Sequence, residues 1–150
     1  QLVEKRLAEA EKNKGEYPMV NHQMKLNHLE QLPEVLAEIE QTLAGMGITM
    51  EKMLDIRLCV SEAVGNALIH GNEMNENKWV SICWQASCGE LLLTVTDQGD
   101  GVVQEKRCPK ELDPLLMLEE SGKGLFLIGQ LADTVCYNDC GNQITMRLTW

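Results

Sequence analysis

An α/β domain is predicted by three features of the chain. Two stretches, Leu32 to Leu43 and Thr49 to His70, repeat apolar residues at the three-to-four spacing of amphipathic helices. Trp79 to Gln85 and Glu90 to Asp97 read as strands joined through Ala86-Ser-Cys-Gly89 in a hairpin. The last residues alternate, with Ile144, Met146 and Leu148 on one side and Thr145, Arg147 and Thr149 on the other.

Taken in order, residues 1–16 are charge-rich and helix-prone, with too few apolar side chains to build a core. They are expected to be a linker or helical appendage of a longer protein, leaving 17–150 as the folded domain. Met19 to Leu26 alternates weakly, as an edge strand does. In Leu32 to Leu43 the inward set is Leu32, Val35, Leu36, Ile39 and Leu43, with Pro33 near the start and Gly45 past the end as boundary signals. Thr49 to His70 should bury Met53, Ile56, Val60, Ala63, Val64 and Ala67. Residues 102–120 carry Pro109, Pro114 and many charges, the composition of a mobile cover rather than a core element. A short helix from Gly124 to Ala132 and a closing pair of strands, Asp133 to Asn138 and Gln143 to Thr149, complete the domain.

At 150 residues the chain fits one domain, and its 44% hydrophobic and 24% charged content is ordinary for a soluble globular protein. No apolar run reaches membrane-spanning length and no signal-peptide pattern opens the chain, so a cytoplasmic location with no membrane partner is expected. The net charge of −10 opposes a phosphate backbone, which argues against direct nucleic-acid binding and suits docking on a basic partner patch. Six cysteines form no CxxC arrangement and read as core or surface thiols rather than a zinc site.

Chemistry concentrates in three segments. In Glu62-Ala-Val-Gly-Asn66-Ala-Leu-Ile-His70-Gly71, a carboxylate, an amide and an imidazole stand four residues apart, so each is about 6 Å along a helix from the next and all three share one face. Asparagine is a poor mid-helix residue, and Asn66 therefore reads either as a Mg2+ ligand through its carbonyl oxygen or as a buried amide bonded to a neighbouring loop. Glu62 reads as a base toward a hydroxyl or water, or as a solvated helix carboxylate. His70 reads as a capping or packing residue.

Asp97-Gln-Gly99-Asp-Gly101 ends a strand. Its carboxylate can accept a hydrogen bond from an exocyclic amine while the glycines admit a flat base, the plain alternative being an Asp-Gly turn. Ser121-Gly122-Lys123-Gly124-Leu125 opens a helix whose unpaired N–H groups can receive phosphate. Neither a Rossmann GxGxxG unit nor a GxxxxGK[ST] loop is present.

Jointly these segments resemble the N, G1 and G2 boxes of the GHKL (Bergerat-fold) ATP-binding superfamily, over roughly Met19 to Trp150. Ser61-Glu-Ala-Val-Gly-Asn-Ala-Leu-Ile-His-Gly71 and Ser121-Gly-Lys-Gly-Leu-Phe-Leu-Ile128 are most similar to the anti-sigma-factor serine-protein kinases. The resemblance implies a two-layer α/β sandwich, a mixed, mostly antiparallel sheet with helices on one face, in which 17–150 is an ATP-binding kinase domain and 102–120 its ATP lid. It implies ATP and Mg2+ as cofactors, Glu62 as general base toward a substrate serine, Asn66 as metal ligand and Asp97 as adenine acceptor. Gly99, Gly101, Ser121, Gly122, Lys123, Gly124 and Leu125 are the remaining nucleotide contacts.

Some members carry Arg before the serine of the last box, where this chain has Glu120. Lys123 either supplies that cation or faces solvent. A sensor histidine kinase would need an acceptor His followed by an acidic residue after a two-helix segment, whereas His28 is followed by Leu29. The resemblance thus implies an ATP-dependent serine/threonine kinase and anti-sigma factor. Such a protein phosphorylates a STAS-domain antagonist in partner switching, sequesters a sigma factor and forms a homodimer. The competing expectation is a non-catalytic ATP-binding module that regulates by partner sequestration.

Overall fold

The computed structural model describes residues 20–87, 89–100 and 120–150. The appendage at 1–16, Gly101 and all of the expected lid except Glu120 lie outside the described residues. Five strands, β1 (Val20–Leu26), β2 (Val80–Ser87), β3 (Glu90–Thr96), β4 (Thr134–Tyr137) and β5 (Gln143–Thr149), form one sheet in the order β1-β2-β3-β5-β4. All four pairings are antiparallel. The helices are α1 (Leu32–Leu43), α2 (Met50–Asn66) and α3 (Glu120–Leu131).

Strand alternation decides the layering, because every second side chain must leave water. Across the sheet, Met24, Ile82, Val95, Ile144 and Tyr137 make one row and His22, Trp84, Leu93, Met146 and Val135 the next. The central members of both rows are buried and share one core with Val35, Leu36, Ile39 and Leu43 of α1, Ile56, Cys59, Val60, Ala63 and Val64 of α2, and Ile128 of α3. The opposite sheet face carries the polar alternates such as Ser81, Gln85, Thr94, Thr145 and Arg147, all partly exposed. Trp84 fixes the layer spacing on the β1 side: its ring stacks on His22 and its Nε1 donates to Thr42 Oγ1 at 3.1 Å. At the hairpin, Gly89 adopts φ +87°, the left-handed region that glycine reaches without a Cβ clash.

Strand ends differ from expectation by one or two residues, β2 running on to Ser87 through part of the expected hairpin connection, and two helix boundaries differ by more. The helix predicted to run to His70 is α-helical only to Asn66 and then widens into a π turn at Ala67–Gly71, closed by the Asn72 N–H on the Ala67 carbonyl at 2.8 Å. Nothing in Ala-Leu-Ile-His disfavours an α-helix, so the widening comes from tertiary contacts at its end. The last helix begins at Glu120, four residues before the predicted start. Glycines 122 and 124 are therefore helical rather than loop residues, held so by packing of α3 against α2. Among the described residues no helix is long and apolar enough to cross a membrane.

Candidate functional site

The C-terminal end of α2, the C-terminal end of β3 and the beginning of α3 converge. Glycines make the convergence possible. A Cβ on Gly99 would overlap the Gly71 carbonyl group, and one on Gly71 would overlap the Asp97 carboxylate, its Oδ1 at 2.8 Å. A Cβ on Gly124 would overlap the Glu62 carboxylate and lie 3.4 Å from Asn66 Nδ2. Glu62 and Asn66 therefore face the first turns of α3, while Gly71 and Asp97 face each other at the other end of the site.

At the Asp97 end the chain's own hydrogen bonds fix the geometry. Asp97 is 8% exposed, and its Oδ1 accepts the Gly99 N–H at 2.7 Å. Its backbone N–H donates to the Asn142 carbonyl at 2.9 Å, and Asn142 Nδ2 returns a bond to the Asp97 carbonyl at 3.0 Å. Burial pushes the Asp97 carboxyl above the ordinary carboxylate range, against the lowering effects of the Gly99 bond and the Lys78 charge. A buried carboxylate has acceptor capacity beyond one N–H, and with a glycine on either side it suits an exocyclic amine on a flat base.

At the other end Asn66 Nδ2 is buried without a hydrogen-bond partner among the described residues. An orphaned amide beside a carboxylate and a glycine is a group that a polar ligand would satisfy. The unpaired Nδ2 donor suits a phosphate oxygen, and the oxygen of the same amide is of the kind that a hard cation with phosphates takes from protein.

The structure also separates residues that the sequence grouped. His70 lies in the π turn and is exposed, so it leaves the Glu62–Asn66 face; the wider turn breaks the four-residue register. Ser121 and Gly122 fall in the first turn of α3, where backbone N–H groups lack intrahelical partners, and Lys123 and Gly124 follow in the helix. Leu125 is 6% exposed and lies past the first turn of α3. Sequence reasoning missed Asn72, which is 1% exposed and whose Oδ1 accepts the Gln98 N–H at 2.7 Å. No signal in the sequence marked it, because an asparagine in Asn72-Glu-Met-Asn-Glu-Asn77 reads as ordinary loop.

Of the cysteines among the described residues, Cys59 is buried, Cys83 partly buried, and Cys136 and Cys140 exposed, none of them in a disulfide. Among the described residues no cluster of His, Cys, Asp or Glu could hold a metal on its own.

The chain matches the histidine kinase-like ATPase domain family over residues 26–148. It is 35% identical over 114 residues to an anti-sigma F factor of Clostridium perfringens, covering 70% of this chain and 78% of that one. It is 31% identical over 116 residues to the serine-protein kinase RsbW of Oceanobacillus iheyensis, covering 71% and 73%. With an anti-sigma F factor of Clostridium botulinum it shares 33% identity over 95 residues, and the match spans 64% of that protein's length. A crystal structure of RsbU and RsbW domains from Mycobacterium tuberculosis shares the fold, with a TM-score of 0.50 at 20% identity, over 85% of this chain and 32% of that one. The chain belongs to the histidine kinase-like ATPase domain family, on the branch of the anti-sigma factors and their serine-protein kinases.

Proposed function

We propose that this domain is an ATP-dependent serine/threonine protein kinase and anti-sigma factor that phosphorylates a STAS-domain antagonist and exchanges it for a sigma factor. The observation that supports it best is the placement of Glu62 and Asn66, one helical turn apart, against the glycine-opened start of α3. A sequestration module has no need of a carboxylate held beside a buried amide at the start of α3. The printed names of relatives over 30% identical, anti-sigma F factor and serine-protein kinase, point the same way.

In this reading Asp97 accepts from the adenine amine, and Gly99, Gly101, Ser121, Gly122, Lys123, Gly124 and Leu125 meet the nucleotide largely through backbone groups. Asn66 would hold Mg2+ through its amide oxygen. Bound ATP and Mg2+ supply the transferable phosphoryl group and neutralise its charge. Glu62 takes the proton of the acceptor hydroxyl, and the start of α3 directs N–H groups at phosphate. The region 102–120 acts as lid, the domain works as a homodimer and the location is cytoplasmic.

The test is transfer of labelled phosphate to a co-purified partner, with mass spectrometry locating the modified residue. Glu62→Gln is expected to keep ATP affinity within a few-fold and to lower transfer by about 10²–10⁴. If the wild type binds ATP and partner yet modifies no serine or threonine, the kinase reading falls and an ATP-gated binding module stands.

A further inference from the structure

We propose that Asn72 is the positioning residue for purine selectivity: it does not touch the base but fixes the direction in which Asp97 presents its carboxylate. The proposal rests on the reading of Asp97 as adenine acceptor. Three polar groups of Asn72 tie three segments together. Its N–H closes the π turn on the Ala67 carbonyl at 2.8 Å, its carbonyl accepts the Asn75 N–H at 3.0 Å, and its Oδ1 accepts the Gln98 N–H at 2.7 Å. The last of these crosses from the end of α2 to the residue after Asp97.

Asp97 is thereby bracketed. Asn142 holds its own N–H and carbonyl, Asn72 holds the next N–H, and Asp97 itself takes the N–H after that. Gly71, the neighbour of Asn72, lies against the carboxylate from the helix side. The bond from the Gly99 N–H holds the Asp97 carboxylate only while the 97–99 backbone stays in place, and the Asn72 side chain ties this backbone to the π turn.

This arrangement has a cost: Asn72 Nδ2 is buried with no partner among the described residues. An apolar residue would remove the unpaired donor, so its retention argues that the Oδ1 acceptor is what matters there. Adenine and hypoxanthine differ at the edge that Asp97 would read. One presents an amine donor, the other a carbonyl acceptor, and discrimination by one buried acceptor is only as good as the fixity of its direction.

The experiment measures competition by ATP and by inosine triphosphate, each with Mg2+, against a fluorescent ATP analogue. Wild type, Asn72→Ala, Asp97→Asn and the double variant are compared, with melting curves for each. Wild type is expected to prefer ATP by about tenfold or more, and Asn72→Ala to lose most of that preference. Once Asp97→Asn is present, adding Asn72→Ala should leave the ratio unchanged within about twofold, as expected when one group acts through the other. A lower melting temperature with an unaltered ratio would make Asn72 merely structural and overturn the proposal. Absence of preference in the wild type would instead overturn the Asp97 reading itself. If Asn72→Ala does not fold, Asn72→Asp and Asn72→Ser are compared. The aspartate retains the acceptor for Gln98 and should keep the ratio, the shorter serine should lose it, and equal ratios in the two overturn the proposal.

Discussion

At the Asp97 end of the site, the N–H groups of Asp97, Gln98 and Gly99 all donate within the protein, and the Gln98 side chain accepts from the Trp79 N–H at 2.7 Å. Each end also holds one buried amide donor with no partner among the described residues, Asn72 Nδ2 at the first and Asn66 Nδ2 at the Glu62 end. There α2 also carries Gly65, beside which a Cβ would meet nothing within 4 Å, and the exposed side chains of Leu54 and Leu58. At the first end the chain's own hydrogen bonds fix the backbone; at the second, side chains of α2 meet the start of α3. A base needs a fixed shape and a fixed acceptor, whereas phosphates and an acceptor protein arrive and leave.

The largest break in this contrast comes from giving both ends the same substitution. Gly99→Ala sets a methyl against the Gly71 carbonyl, and two backbones cannot turn aside as a side chain can. It should cost about 1–3 kcal/mol in urea unfolding, the usual range for overpacking, and abolish detectable ATP binding. Gly124→Ala meets the end of the Glu62 side chain, which can swing, and it lies within a helix where alanine is better than glycine by about 1 kcal/mol. Stability should hold or rise while phosphotransfer falls, because Glu62 is displaced. A Gly124→Ala protein as unstable as Gly99→Ala would show both ends to be equally rigid.

A smaller effect follows from burial of Asp97. Its folded pKa lies above the ordinary value, so the native state holds its proton more tightly than the unfolded chain does. The contribution of this group to stability is therefore fully present below the ordinary carboxylate pKa and is lost as pH rises through the raised value. Asp97→Asn should be more stable than wild type at pH 7 and lose that advantage on acidification, while binding ATP more weakly. Asp133 carries the opposite sign. The Thr149 N–H, its largest influence, lowers its pKa, so its contribution is present above the ordinary value and lost as pH falls. Denaturant midpoints of Asp97→Asn and Asp133→Asn across pH 3–8 should diverge from wild type in opposite directions at the neutral end. Parallel curves would contradict the assigned causes.

Sequence periodicity carried the fold far. Leu32–Leu43 was legible to the residue because Pro33 and Gly45 bracket a clean apolar stripe, and the inward faces of β3 and β5 follow from strict alternation. Legibility stops where tertiary contacts override local preference. The π turn at Ala67–Gly71 and the helical Gly122-Lys-Gly124 are both set by segments distant in sequence. For the site, residue types that carry chemistry were visible as spacing: Glu62 and Asn66 do meet Gly124, and Asp97 separately meets Gly71 and Gly99. Asn72 was not visible, because its action depends on a backbone N–H twenty-six residues away, and backbone groups leave no mark in a sequence.

The smallest effect lies in the turn that follows Asn72. Glu73 and Met74 have φ of 54° and 59°, a left-handed pair in which glycine or asparagine is the usual occupant. The Asn75 N–H closes the turn on the Asn72 carbonyl, and the Met74 N–H reaches back to Leu68 at 2.8 Å. Strain of this kind costs on the order of 1 kcal/mol per residue, part of which glycine gives back through its greater freedom when unfolded. Met74→Gly should therefore raise stability by about 0.5–1 kcal/mol, a shift of about 1–4 °C for a domain of this size. Met74 is half exposed, so its removal empties no core. Affinity for ATP should stay within about twofold if the Asn72–Gln98 bond, rather than the strain, holds the Asp97 loop in place. Calorimetric melting together with nucleotide titration reads both quantities. A more stable protein that binds ATP tenfold more weakly would move the strained turn itself into the preorganised end of the site.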